Sequence, residues 1–310
     1  MGSREKKLTL KLLINKESGR VVFAECGKDF VEILLSFLTL PLGTVIRLLD
    51  KHSSLGCMDA LYENVEKLDL KCLQTEACKS MLLCPRSVAE RHCKDLKIKV
   101  DNLDPKRLYL CLKWDCVARV HKLFSSVADA RCPCGSPMDK FALLWKKEAS
   151  CDGGFCEGER ARFLVSDDLH VSLASMASSF SLLQEFGIHD VSLLQEREVS
   201  VGRHEILKLL KTCLISRTPL SNVFMGLKLQ PFKHKKLVPN PLGKKEEAKT
   251  GTKTRSKTMR ANILQSKHSG KVKYAEIGED IVDLLFSFLT FPLGTIVKLL
   301  SQDSSLGCMS

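Results

Sequence analysis

The feature of this sequence that most constrains its fold is an internal repeat close to its two ends. Residues 8–59 align without gaps to residues 259–310, at an offset of 251 positions. Of the 52 aligned positions, 27 are identical, including Ser-Phe-Leu-Thr at 36–39 and Pro-Leu-Gly-Thr at 41–44. A repeat defines the structural unit of a chain and is therefore the first feature to interpret. The sequence predicts one nearly complete unit, followed by a truncated second copy of its N-terminal part.

The repeat and the charge distribution divide the chain into three parts. We expect a first domain at 5–227, a basic flexible linker at 228–258 and the second copy at 259–310. Residues 228–260 contain eleven Lys and Arg against two Glu, a net charge of +9 out of +12 for the whole chain. Their Pro and Gly residues and lack of apolar periodicity favour a solvated linker. A basic tract of this kind can also bind nucleic acid.

One unit begins with a predicted β-hairpin followed by helices. Leucines and isoleucine alternate with other residues over 8–14, which indicates a half-buried strand. A turn-forming segment leads into a second strand at 20–26. Apolar residues then recur at helical spacing over 29–38, and Pro41 separates this helix from a second one at 42–49.

The rest of the first domain mixes helices, one strand and an irregular insert. We expect helices at 61–81, a Cys-, Gly- and Pro-rich irregular insert at about 84–160, and a strand at 163–173. Helical patterns return at 176–186 and at 204–215, and the latter resembles the helix after the first hairpin. The predicted fold class is α+β, with hairpin-plus-helix units in two related halves and a zinc-ribbon-like insert between them.

The chain is predicted to have no membrane span and to be intracellular, in the cytoplasm, the nucleus or both. Residues 30–49 are nearly long enough to span a bilayer, but they include Glu32, Pro41 and Arg47. The first seven residues include four charged ones and lack the apolar core of a secretory signal. In a reducing compartment the fourteen cysteines are expected to be thiols rather than disulfides.

Two closely spaced pairs of cysteines form the strongest chemical signal. Cys111 and Cys116 are separated by four residues, and fifteen residues later Cys132-Pro-Cys134-Gly follows. Zinc ribbons use two such pairs, each on a tight turn, to direct four sulfurs at one tetrahedral ion. The usual spacing is Cys-x2-Cys, so the first pair here is stretched and the second is one residue short.

A third pair, Cys151 and Cys156, could supply substitute ligands. Two alternatives remain open at this stage: a structural zinc ion that folds the insert, or a group of free thiols. The isolated Cys57 and Cys308 recur in the repeat without a neighbouring His and predict small core residues. Asp167-Asp168 predicts a turn or strand end rather than a catalytic carboxylate pair.

Five short motifs along the chain are together specific enough to compare with a known protein family. They are Leu-Lys-Leu-Leu-Ile at 10–14, Val-Phe-Ala-Glu at 22–25, Gly-Lys-Asp-Phe-Val at 27–31, Leu-Thr-Leu-Pro-Leu-Gly-Thr at 38–44 and Asp-Asp-Leu-His-Val at 167–171. This set closely resembles the land-plant domain-of-unknown-function family 674, over residues 5–227 and again over 259–310. The resemblance implies a plant source, tandem copies of the domain and an intracellular protein. It implies no activity, because the family has none established.

Three functions remain open from the sequence. No phosphate-binding glycine loop, nucleophile elbow or metalloprotease helix motif is present, so we expect a noncatalytic structural or interaction protein with protein partners. The first alternative is an enzyme whose catalytic groups converge only in three dimensions. The second is a nucleic-acid binder that uses the zinc-ribbon-like insert and the basic tract at 228–260.

Overall fold

The chain forms two compact units, residues 1–232 together with 289–310, and residues 233–288. Of the basic linker, the structure describes only the first two residues. The computed structural model describes residues 6–87, 89–93, 96–101, 108–120, 124–128, 130–142, 154–156, 161–229, 259–300 and 308.

Ten strands and ten α-helices are numbered in chain order. The strands are β1 (Leu8–Asn15), β2 (Arg20–Gly27), β3 (Leu108–Leu110), β4 (Phe124–Ser125), β5 (Lys140–Ala142), β6 (Arg162–Ser166), β7 (Val171–Leu173), β8 (Leu194–Val201), β9 (Ala261–Gln265) and β10 (Val272–Ile277). The helices are α1 (Lys28–Phe37), α2 (Leu42–Leu48), α3 (Met58–Lys67), α4 (Glu76–Leu83), α5 (Glu90–Cys93), α6 (Met176–Glu185), α7 (Arg203–Ile215), α8 (Pro219–Phe224), α9 (Glu279–Ser287) and α10 (Leu293–Leu299). Shorter 3-10 turns lie at Leu70–Cys72, Val191–Leu193 and Phe288–Thr290, and a π-helical turn at Cys116–Val120.

The mixed α+β class that the sequence predicts is confirmed, and the first hairpin is its starting point. Along β1, Leu8, Leu10, Leu12 and Ile14 are buried, whereas the residues between them are more exposed. The Asn15 side-chain oxygen accepts hydrogen bonds from the backbone N–H groups of the next turn, at 2.8 and 3.2 Å. This Asx-type turn reverses the chain, so that β2 pairs antiparallel with β1.

A five-stranded antiparallel sheet, in the order β7-β6-β2-β1-β8, organises the larger unit. One face packs against α1, α7 and α8, whose most buried side chains include Phe30, Leu210 and Leu220. On the other face, Phe23 and Leu164 pack against Leu182 of α6. The sheet thus separates a large core from a smaller one, as expected for helices that cover both faces of a sheet. We call the large one the sheet core.

Residues of the predicted strand at 163–173 form two strands joined by a turn. β6 ends at Ser166, and Leu169 in the turn has a φ of 66°. The Asp167 carboxylate accepts hydrogen bonds from the backbone N–H of Ser221 at 2.8 Å and from its hydroxyl at 2.6 Å. The same hydroxyl accepts from Val21 N–H at 2.8 Å. Asp167 therefore links the turn, α8 and β2, and the turn interpretation of Asp167-Asp168 is confirmed.

The expectation that 84–160 is irregular throughout is wrong. Within this segment, β3 pairs with both β4 and β5 to form a small antiparallel sheet. Its strands are only two or three residues long. Such short strands carry no readable alternation, which is why the sequence pattern did not reveal them.

The repeated residues form the same order of elements in the second copy as in the first. Strands β9 and β10 pair with each other, followed by α9 and, after Pro292, by α10. The region around α7 resembles the region around α1 only in the order of its elements. In each, a strand is followed by two helices: β8, α7 and α8 in one, and β2, α1 and α2 in the other. Two related halves remain a prediction.

No helix in the described part of the chain combines the length and the hydropathy that crossing a bilayer requires. In the apolar stretch at 30–49, α1 ends at Phe37 and α2 begins at Leu42. The break occurs at Pro41, which caps the second helix in an extended conformation.

Candidate metal centre

The four cysteines of the two spaced pairs lie on the small sheet and on the turns that connect it. Cys111 directly follows β3, and Cys116 opens the π-helical turn. Cys132 and Cys134 lie in the loop that precedes β5. We call this part of the chain, the described residues of 108–142, the Cys-rich module.

The second pair lies on a tight turn that is held by backbone hydrogen bonds. Cys132 N–H donates to the carbonyl oxygen of Ser136 at 2.9 Å, and Gly135 N–H donates to that of Cys132 at 2.8 Å. Gly135 has a φ of +81°, a conformation that favours glycine. The turn has the compactness of a zinc knuckle although its cysteines are one residue closer than usual.

The four sulfurs converge on one point. All four Sγ atoms lie within 4.8 Å of one another. The Cys111 and Cys134 sulfurs are 3.6 Å apart, and the Cys116 and Cys132 sulfurs are 3.4 Å apart. A tetrahedral zinc ion with Zn–S bonds of about 2.3 Å requires sulfurs about 3.8 Å apart. The donor set and its dimensions therefore fit a single tetrahedral ion.

The surroundings of the sulfurs are small and apolar. Cys111, Cys116 and Cys132 are buried, together with Ala77, Ala130 and Met138. Three of the six buried residues of this cluster are thus the candidate ligands themselves. A cluster of this size excludes water from the sulfurs but buries little apolar area for stability.

The electrostatics of the thiols differ across the site. Hydrogen bonds from the backbone and side chain of Ser136 lower the pKa of Cys134 to about 6. Burial raises the pKa values of Cys111 and Cys116. Metals bind thiolates, so Cys134 is better prepared to bind a metal than Cys111 or Cys116, whose buried thiolates a cation would have to stabilise. Sequence reasoning missed Ser136, although polar residues that follow a Cys-x-Cys-Gly turn can donate to sulfur.

Of the two cysteines predicted as substitute ligands, the structure describes only one. Cys151 lies outside the described residues. Cys156 is half-buried against the sheet core, where its backbone N–H donates to the Glu32 carboxylate at 3.4 Å. The four-thiol cluster of the described chain does not include Cys156. The assignment of the four clustered cysteines as metal ligands stays a prediction.

The remaining described cysteines are free thiols in varied surroundings. Cys57 is exposed, so the prediction that it is a small core residue is wrong. Its counterpart in the repeat, Cys308, is half-buried and donates to the backbone oxygen of Cys213 at 3.4 Å. His92, close to Cys93 in sequence, contacts the ring of Phe155 with ring centroids 5.6 Å apart. These contacts are those of packed side chains.

A cavity of about 80 Å³ lies between α1, α2 and the α5 region. Its lining includes Thr39, Arg86, Glu90, Cys93 and Lys99. Burial raises the pKa values of both Glu90 and Cys93. A thiol with a raised pKa is protonated near neutral pH and is a weak nucleophile. The cavity gathers titratable groups, but its cysteine is not prepared for nucleophilic catalysis.

The Cys-rich module also exposes large apolar side chains. Trp114 is 67% exposed and Phe124 is 64% exposed, and Leu112 is exposed as well. The Lys140 ammonium lies 5.5 Å from the centre of the Trp114 ring, at the distance of a cation–π contact. Exposed aromatic residues are typical of surfaces that bind other proteins.

Comparison with known proteins places these features in one family. No curated protein and no solved structure matches the chain. A family model described as "Protein of unknown function (DUF674)" matches residues 4–310, nearly the whole chain. The protein therefore belongs to the DUF674 family, as its motifs predict.

Proposed function

We propose that the protein is a noncatalytic interaction protein in which a structural zinc ion folds the Cys-rich module. The ligands would be the four cysteines described above. The convergence of their four sulfurs within 4.8 Å is the observation that carries the proposal.

The chemistry of the donors favours zinc in a structural role. Four thiolates form a soft ligand set, which suits zinc and iron but not magnesium or calcium. Four protein ligands complete a tetrahedral shell, so no position remains for a reactive water or substrate. A reducing compartment, the cytoplasm or nucleus, would keep the thiols free to bind metal. The site would therefore stabilise structure rather than perform a reaction.

Interaction with other proteins is supported by the surface of the same module. Leu112, Trp114 and Phe124 are exposed on or beside strands that zinc would hold in place. Aromatic side chains on a rigid support lose little entropy on binding, which makes them effective anchors for a protein partner. In this proposal the metal maintains the shape of a protein-binding surface.

Native mass spectrometry of the purified full chain, with and without denaturation, tests the proposal. We expect one zinc per chain in the native spectrum and none after denaturation. Cys132→Ser and Cys134→Ser should each lose the metal. Cys72→Ser, which changes an exposed thiol outside the module, is the matched control and should retain it. A folded wild-type chain that takes up no metal when zinc is supplied would exclude the proposal.

A further inference from the structure

Two copies of one loop motif dock against each other in the larger unit. We call residues 38–43 the first loop and residues 289–294 the second loop; the repeat offset of 251 relates them. Pro41 and Pro292 face each other in an antiparallel bridge. The backbone hydrogen bonds between the loops are Leu42 N–H to Phe291 O (3.0 Å), Leu293 N–H to Leu40 O (2.9 Å) and Gly294 N–H to Leu38 O (2.8 Å).

The two loops dock with approximate two-fold symmetry. Applying the repeat offset to the bond from Leu42 to Phe291 gives the reverse bond, from Leu293 to Leu40. These two bonds are reciprocal, as in an isologous interface. The bond from Gly294 to Leu38 has no counterpart from Gly43 to Leu289 among the backbone hydrogen bonds of the described residues, so the symmetry is approximate.

The glycines of the two loops repeat the same symmetry. A Cβ atom on Gly43 would lie 3.1 Å from the carbonyl oxygen of Leu289 in the second loop, and 2.9 Å from that of Leu82 outside the loops. A Cβ atom on Gly294 would lie 3.1 Å from that of Leu38. Both distances between the loops are tighter than ordinary carbon–oxygen contacts, so each loop uses its glycine to let the backbone of the other approach.

The contact is apolar at its centre. Leu289 and Leu293 of the second loop are fully buried, and Leu40 and Leu42 of the first loop are almost fully buried. By contrast, Leu299, farther along α10, is 70% exposed. Burial in this part of the second copy is thus concentrated where it meets the first loop.

We propose that the first loop is a homotypic docking surface, and that a second copy of this chain occupies it when the second loop is displaced. Five of the six loop positions carry the same residue in both copies, the exception being Leu40 and Phe291. The three hydrogen bonds between the loops given above use backbone groups. A first loop from another chain therefore offers the same donors, acceptors and glycine as the second loop does.

Tethering explains why the second loop occupies the surface in a single chain. A partner on the same chain binds within one molecule, so its effective concentration exceeds that of a separate chain in dilute solution. Another chain at micromolar concentration cannot compete with it. We therefore expect wild-type protein to keep this surface closed and two-fold pairing between chains to require release of the second loop.

Engineered cysteines at the bridge report the docking directly. Facing residues in this kind of antiparallel bridge have Cα atoms about 4.5 Å apart. This separation falls within the range of disulfides. The full-length double variant Pro41→Cys/Pro292→Cys should form a disulfide within one chain under mild oxidation, identified by peptide mass mapping. Absence of this cross-link in folded protein would overturn the docking on which the proposal rests.

Release of the second loop tests the proposal itself. Leu293→Asp places a charge at a fully buried site and should expel the second loop. In the Pro41→Cys background, we expect a twofold rise in mass by light scattering and a disulfide between position 41 of two chains. Leu299→Asp, an exposed site on the same helix, is the matched control and should leave the mass unchanged.

A second variant tests whether the effect of Leu293→Asp is only unfolding caused by its buried charge. Gly294→Val introduces no charge, and its Cβ atom would crowd Leu38 of the first loop at 3.1 Å from the carbonyl oxygen. It should give the same dimer and the same cross-link, with an unchanged far-ultraviolet circular dichroism spectrum. If either variant stays folded and monomeric without the cross-link between chains, the homotypic surface is excluded. If dimers form without a cross-link at position 41, they use another surface and the proposal is equally excluded.

Discussion

The sheet core and the Cys-rich module of the larger unit are held together by different means. In the sheet core, large side chains such as Leu10, Phe30 and Leu210 are fully buried against one another. In the apolar cluster around the four sulfurs, the buried side chains besides the candidate ligands are Ala130 and Met138 of the module and Ala77 of α4, which are fewer than those of the sheet core. Burial of a large apolar side chain contributes about 1.5–3 kcal/mol, so the sheet core can be stable through packing alone. The module cannot, and the difference points to bonds between the sulfurs and a metal.

The largest effect is expected from the loss of one candidate ligand, which should unfold the module but not the sheet core. Cys116→Ser removes a buried candidate ligand whose sulfur is 3.4 Å from that of Cys132. We expect loss of the bound zinc and of the structure of the module, while the sheet core stays folded. Structural zinc sites contribute on the order of 10 kcal/mol to small folds, so no packing in the module can compensate. Metal analysis and limited proteolysis measure the two effects.

Cys72→Ser is the control for this prediction because it removes an exposed thiol. It should bind zinc and resist proteolysis as the wild type does. Equal zinc content in the Cys116→Ser variant would contradict the assigned ligand set.

The second prediction disturbs the sheet core and leaves the module alone. Leu210→Ala removes a fully buried side chain from α7 and should lower the free energy of unfolding by about 2–5 kcal/mol. Urea denaturation measures this loss, and zinc content should not change. Leu70→Ala, at an exposed leucine, should change stability by less than ~0.5 kcal/mol. A loss of zinc in Leu210→Ala would show that the two regions do not differ as described.

The third prediction concerns the buried carboxylate that links the turn after β6 to α8. Asp167→Ala leaves Ser221 N–H without its acceptor and should cost about 1–3 kcal/mol of stability. Burial raises the pKa of Asp167 in the folded chain, despite the hydrogen bonds from Ser221 and the Arg20 guanidinium 3.6 Å away. The native state therefore binds this proton more tightly than the unfolded chain does.

The pH dependence follows from that raised pKa. The contribution of the protonated carboxyl is fully present below the pKa of the unfolded chain and is lost as the pH rises through the native pKa. Relative to Asp167→Asn, which does not titrate, wild-type stability should fall as the pH rises above about 4. Urea titrations of both proteins from acidic to neutral pH measure the difference. A rising difference would mean that the hydrogen bonds outweigh burial.

The smallest expected effect lies in the turn that carries the second cysteine pair. Gly135→Ala puts a side chain at a φ of +81°, with no other atoms within 4 Å of its Cβ, so backbone strain acts alone. The cost of about 1–2 kcal/mol should weaken zinc binding roughly 5- to 30-fold in a chelator competition. Gly187→Ala imposes the same strain outside the module at a φ of +66° and should leave zinc affinity unchanged.

Local patterns predicted the first hairpin, α1, α2 and α7 within one or two residues, because their buried positions follow the periods of strands and helices. β8 was missed because its sequence, Leu-Gln-Glu-Arg-Glu-Val-Ser-Val, is mostly polar and exposed. An edge strand of this kind is held by its pairing with β1 rather than by an apolar face. That pairing joins residues far apart in sequence and leaves no local signal.

The two copies of the repeat also show that a local pattern does not predict burial. Leu12 in β1 is fully buried, whereas the corresponding Ile263 in β9 is 59% exposed. In the first copy, β8 flanks β1 and β6 flanks β2, whereas β9 and β10 pair only with each other among the described strands. The same local sequence thus forms the same elements, but burial depends on distant segments that a local pattern does not encode.

The candidate site could be predicted only in part. The spacing of Cys111, Cys116, Cys132 and Cys134 identified the four residues that converge, although neither pair has the usual knuckle spacing. The sequence could not show that Cys156 packs against the sheet core, or that Ser136 lowers the pKa of Cys134. Both depend on the path of the chain between the cysteines.

Hydrogen–deuterium exchange of the full chain, with and without a strong zinc chelator, measures directly whether a bound metal holds the Cys-rich module together, which is the central claim. We expect chelation to remove protection from residues 108–120 and 130–142, while β1, β2 and α7 keep theirs. Protection unchanged throughout the module would contradict the claim, because packing alone would then hold it together. Loss of protection in both regions alike would equally contradict it, because the sheet core would then depend on the metal as well.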